Sequence, residues 1–104
     1  MSWEGFLISW DNLENFGEVY HGKRSLVFFG NEFFQEKEIQ SLLPNFSILW
    51  QIHSKTVIPA NKEKLKADGH CTEKNELALI IKTADCMPVM LEADNQIFGI
   101  HIGW

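Results

Sequence analysis

Three residues in the second half of the chain have the side chains to act together: His53, Cys86 and His101. Cys86 lies in the polar stretch Lys82-Thr83-Ala84-Asp85-Cys86-Met87-Pro88, between apolar runs at 77–81 and 89–91. Short apolar runs bounded by polar residues or proline read as strands, and loops at strand ends carry chemistry on a rigid support. A lone cysteine is ordinarily a small buried hydrophobe. Beside imidazoles it becomes a soft metal donor or a thiolate nucleophile with a base at hand.

The surrounding elements must bring the three together. Ala93-Asp94-Asn95-Gln96 is a turn by composition, and residues 97–102 read as a returning strand. A hairpin pivoting at Asp94-Asn95 sets Pro88 opposite His101. Cys86 then lies two residues along, roughly 7 Å at about 3.3 Å per residue. Alternation along the returning strand puts Phe98, Ile100 and Ile102 on an expected core face. Gly99, His101 and Gly103 share the other face, where the glycines are expected to leave open space beside the imidazole. Residues 48–53 read as a strand with Ile48, Trp50 and Ile52 on one face and Gln51 and His53 on the other. A lone histidine is more often a hydrogen-bonded structural residue, but two at strand ends near a cysteine make a Cys-His-His set.

On these residues the chain resembles the YfiH family, also labelled polyphenol oxidase or laccase-domain. Gln51-Ile52-His53-Ser54, Ala67-Asp68-Gly69, Thr83-Ala84-Asp85-Cys86-Met87-Pro88-Val89 and His101-Ile102-Gly103-Trp104 follow that family's Q-x-H, A-D-G, T-A-D-C-x-P-V and H-A-G-W motifs in order and approximate spacing. The match runs from Trp50 to Trp104. The resemblance implies a zinc site built from His53, Cys86 and His101, and activity on purine nucleosides: phosphorolysis of adenosine or inosine, and adenosine deamination. Purine nucleoside and phosphate would then be the small-molecule partners.

Zinc also suits the donor set chemically. Three ligands of the Cys-His-His type leave one tetrahedral position open, the layout of a catalytic site, where bound water loses a proton near pH 7. The paired P-C-x-x-C cysteines of the zinc deaminases are absent, so deamination would be reached on a different fold. No residue stands out as the anion-binding group that phosphorolysis needs. Several copper ions would need many imidazoles. With four histidines in all and no His-x-His pair, copper is not the expected metal.

Length and composition bound the rest. With 104 residues and 12.0 kDa, the chain is expected to form a single, partial YfiH-like domain over 1–104. The expected fold is α+β, a mixed β-sheet sandwich with flanking helices, truncated relative to the family domain. A net charge of -5 and a pI near 5.2 argue against a nucleic-acid partner. No apolar run reaches the ~20 residues of a membrane span, and no basic-then-apolar leader opens the sequence. A cytoplasmic setting, with Cys71 and Cys86 as free thiols, is expected.

Elsewhere the sequence predicts a strand over 1–10, strands at Val19-Tyr20 and 26–29 joined by the turn His21-Gly22-Lys23-Arg24, and a helix over 31–43. Asn31 is the expected helix cap and Pro44 the stop. Residues 54–66 read as a lysine-bearing solvated loop with one helical turn. His70 and Cys71 are adjacent, so they point to opposite faces of a strand and cannot easily share an ion.

Two other readings remain open. Cys86 could be a metal-free nucleophile activated by His101 or His53, as in cysteine hydrolases. Alternatively, the chain is a non-catalytic remnant or interaction module, because the family's H-A-G-W is followed by a further half of the domain. On that view residues 97–102 would lack their neighbours, and the exposed edge would favour self-association or pairing with the missing C-terminal half.

Overall fold

In the computed structural model the chain forms two units, Met1–Asn45 and Phe46–Trp104. The structure describes residues 15–23, 25–43, 45–84 and 86–103. The strand expected over 1–10 lies outside these residues, as do Arg24, Pro44, Asp85 and Trp104. The described residues are α+β, with parallel and antiparallel strand pairs and one short helix.

In the first unit, β1 (Gly17–His21) and β2 (Leu26–Gly30) pair antiparallel, with Val19 opposite Phe28. The turn between them is closed by Gly22 N–H donating to the Ser25 carbonyl at 2.8 Å, where the sequence predicts it. The helix α1 spans Glu36–Leu42 and buries Ile39, a contribution of about 2 kcal/mol. It starts later than expected. Asn31 does not cap it; the Asn31 Oδ1 accepts the Phe33 N–H at 2.9 Å, an Asx turn that competes with helix. Gln35 takes the cap position, with extended backbone and no side-chain hydrogen bond to the helix.

The second unit holds β3 (Phe46–Ser47), β4 (Leu49–Trp50), β5 (Val57–Pro59), β6 (Leu65–Lys66), β7 (Gly69–Thr72), β8 (Ala78–Leu79), β9 (Met87–Glu92) and β10 (Ile97–Ile102). A four-stranded sheet runs in the order β5-β7-β10-β9. The hairpin has the expected register: Pro88 faces His101, and Ala93 N–H donates to the Gln96 carbonyl at 2.8 Å to close the turn.

Three expectations are corrected here. First, β10 is an inner strand, flanked by β7 and β9 of the same chain, so its neighbours are not missing. Second, residues 54–66 contain β5 and β6, paired in parallel with β7 and β4 respectively, and no helical turn. Third, the faces of β10 are inverted. Gly99 and His101 are buried, whereas Ile102 is 46% exposed. The glycine makes room for neighbours to approach closely: a Cβ at Gly99 would stand 3.2 Å from Ile81 Cγ1 and 3.6 Å from Leu79 Cβ. The open space expected beside the imidazole is filled.

The interior of this unit is unusually polar. Ser47, Asp68, His70, Thr72 and His101 are buried beside Leu49 and Ala67. Buried polar groups must be hydrogen-bonded to be tolerated, so their partners locate the site.

Candidate functional site

Asp68 is the centre of the polar interior. It follows β6, is 2% exposed, and its carboxylate accepts hydrogen bonds from two separate parts of the chain. From the segment after β4 come Ile52 N–H at 3.0 Å and Ser54 N–H at 2.7 Å, both to Oδ1, and His53 N–H at 3.1 Å to Oδ2. The Ser54 hydroxyl adds a bond to Oδ1 at 2.8 Å. From β10 comes His101, whose Nδ1 lies 2.8 Å from Oδ2. Burial alone would push the Asp68 carboxyl up. The bonds from His101, Ser54 and Ile52 outweigh it and hold the group well below the usual carboxylate range.

This arrangement shapes the backbone that carries His53. Three successive N–H groups converge on one carboxylate, an anion-binding nest that requires a left-handed residue within it. His53 is that residue, with φ 61. Its ring is exposed and lies edge to face with that of His101, centroids 5.3 Å apart. Gly103 packs against the same ring, with no room for a Cβ.

Cys86 sits half-buried immediately before β9. Its carbonyl accepts a hydrogen bond from the Thr83 hydroxyl. The stretch leading to it is tied to the His53 segment by Gln51. That side-chain amide donates to the Lys82 carbonyl at 2.5 Å and accepts the Lys82 N–H at 2.7 Å.

The structure therefore brings His53 and His101 together. Among the described residues no three His, Cys, Asp or Glu side chains are gathered as a metal ion would require, so Cys86 does not complete a three-ligand group with the two rings. By type alone, imidazole and thiolate are donors that zinc takes. A ligating imidazole ordinarily gives its second nitrogen to a carboxylate, as His101 does to Asp68. His70 stands apart: it is fully buried, with Nδ1 2.9 Å from Ser47 Oγ. Burial pushes its pKa down to about 4, partly offset by the backbone of Ile80.

Reading residue by residue missed the roles of Asp68, Gln51 and Gly103. Each lies inside one of the four motifs, so the motifs themselves were the available signal.

The chain is 40% identical over 62 residues to a purine nucleoside phosphorylase of Rickettsia prowazekii, covering 55% of this chain and 26% of that protein. It is 31% identical over 99 residues to one of Rickettsia conorii, covering 90% and 37%. A third, of Clostridium acetobutylicum, is 35% identical over 60 residues, covering 54% and 25%. The chain thus spans between a quarter and about two-fifths of the length of these relatives. No solved structure matches significantly. The profile described as multi-copper polyphenol oxidoreductase laccase matches residues 31–104, and the chain belongs to that family.

Proposed function

We propose that the chain carries a zinc site held by His53, Cys86 and His101, and that the protein acts on purine nucleosides. The observation that carries this reading is the imidazole pair with a carboxylate behind it: His53 beside His101, and His101 bonded to Asp68. The names of the relatives supply the substrate class. Phosphorolysis of adenosine or inosine would use phosphate as second reactant, and adenosine deamination would use water.

The residues of the chain divide the work. Asp68 orients His101 and holds the His53 backbone, while Gln51 fastens the stretch before Cys86 to the His53 segment. A zinc ion bound there would supply Lewis acidity at neutral pH. The two free cysteines, Cys71 and Cys86, suit a reducing cytoplasm.

Elemental analysis of protein purified without chelator, set beside Cys86→Ala, tests the metal. Equimolar zinc in the parent and its loss in the variant are expected. Copper in place of zinc would reverse the choice of metal. A metal-free protein whose Cys86 is rapidly alkylated would favour the cysteine-nucleophile reading. Release of free base from adenosine or inosine with phosphate, and of ammonia from adenosine without it, separates the two reactions.

A further inference from the structure

Resting on the reading of His53 and His101 as ligands, we infer that Asp68 is the positioning residue of the site. Its carboxylate places the His101 proton on Nδ1, leaves Nε2 as the nitrogen able to bind, and anchors the His53 main chain through the same oxygen.

The argument starts from what an ionised carboxylate can do, which is only to accept. Five groups contact the Asp68 carboxylate, and four of them can only donate or are placed to donate: the N–H groups of Ile52, His53 and Ser54, and the Ser54 hydroxyl. A proton on the carboxyl would face one of these donors and lose a bond, so the geometry accommodates the carboxylate form. The fifth contact, to His101 Nδ1 at 2.8 Å, must then carry its hydrogen on the ring nitrogen. A neutral imidazole has one N–H and one lone pair, so the lone pair falls on Nε2. The His101 main chain is fixed to the same residue, its N–H donating to the Asp68 carbonyl at 2.7 Å. Asp68 thus fixes both the position and the tautomer of His101. Because Oδ2 also accepts the His53 main-chain N–H, the His101 ring and the His53 backbone share one anchor atom.

A merely structural carboxylate would order the segment without selecting a tautomer, and this separates the two roles. With the full chain labelled at histidine with 15N, long-range proton–nitrogen correlation near neutral pH reads the tautomer before any metal is added. His101 is expected with its proton on Nδ1. In Asp68→Asn the amide oxygen is claimed by the Ile52 and Ser54 N–H groups, the amide NH2 faces His101, and the ring proton should move to Nε2. Zinc affinity, measured with the metal alone against a chromophoric chelator, should fall about 10–100-fold. Ser54→Ala removes one donor from Oδ1 and should leave the tautomer unchanged, which keeps the test valid if Asp68→Asn fails to fold. A parent protein with the proton on Nε2 would overturn the inference, as would an Asp68→Asn variant that keeps both tautomer and affinity. A parent with the expected tautomer but no zinc binding would sink the zinc reading and leave the hold of Asp68 on His101 standing.

Discussion

Gly103 lies against the His53 imidazole so closely that a Cβ at position 103 would overlap Nδ1 and stand 3.1 Å from Cε1 and 3.5 Å from Cγ. His53 is exposed, so its ring can swing away from an added methyl group. The effect of Gly103→Ala should therefore fall on the site and not on the fold. We expect the ring contact between His53 and His101 to be lost, seen as disappearance of their mutual NOE. Stability should change by less than about 1 kcal/mol, against the 1–3 kcal/mol of overpacking in a rigid core. A large loss of stability with the ring contact intact would contradict this.

Gln51 acts on Lys82 as a strand neighbour would, one donor and one acceptor on the same peptide backbone. Gln51→Leu removes both bonds, and at about 0.5–1.5 kcal/mol each the chain should lose roughly 1–3 kcal/mol. More specific readouts are faster hydrogen exchange at the Lys82 amide and faster alkylation of Cys86, four residues along. Unchanged rates at both places would show that the clamp does not govern the turn.

His70 makes stability depend on pH. Its folded pKa of about 4 lies below the ordinary 6.5, so below 6.5 the unfolded chain binds a proton that the folded chain refuses. Stability is present in full above about pH 6.5 and is lost as pH falls toward 4. At 1.36 kcal/mol per pH unit, moving from pH 7 to pH 5 should cost roughly 2 kcal/mol. Urea midpoints at the two pH values measure it, and His70→Gln should remove most of the difference.

The hairpin was legible because its information is local. Two apolar runs around Asp94-Asn95 set the register, and Pro88 meets His101 as the spacing requires. The short strands β5 and β6 were not legible, since each is held by a parallel partner and not by its own composition. The helix start was misread because Asn31 uses its side chain in a turn two residues long, an outcome that looks the same in sequence as a cap. Asp68 is the clearest case. Its bonds reach back 14 to 16 residues and forward 33, so nothing beside it in the chain states what it holds. The inverted faces of β10 have the same origin: glycine next to histidine can mean vacancy or close approach, and Ile81 and Leu79 decide which.

His53 has positive φ, a trait shared among the described non-glycine residues only with Glu76. That conformation costs an ordinary side chain on the order of 1–2 kcal/mol and is easier for asparagine or glycine. A chain selected for stability alone would place one of those here. His53→Asn should accordingly raise the urea midpoint while removing a candidate ligand. At this position the chain presents an imidazole beside His101 at the expense of an easier backbone, and one angle records the exchange.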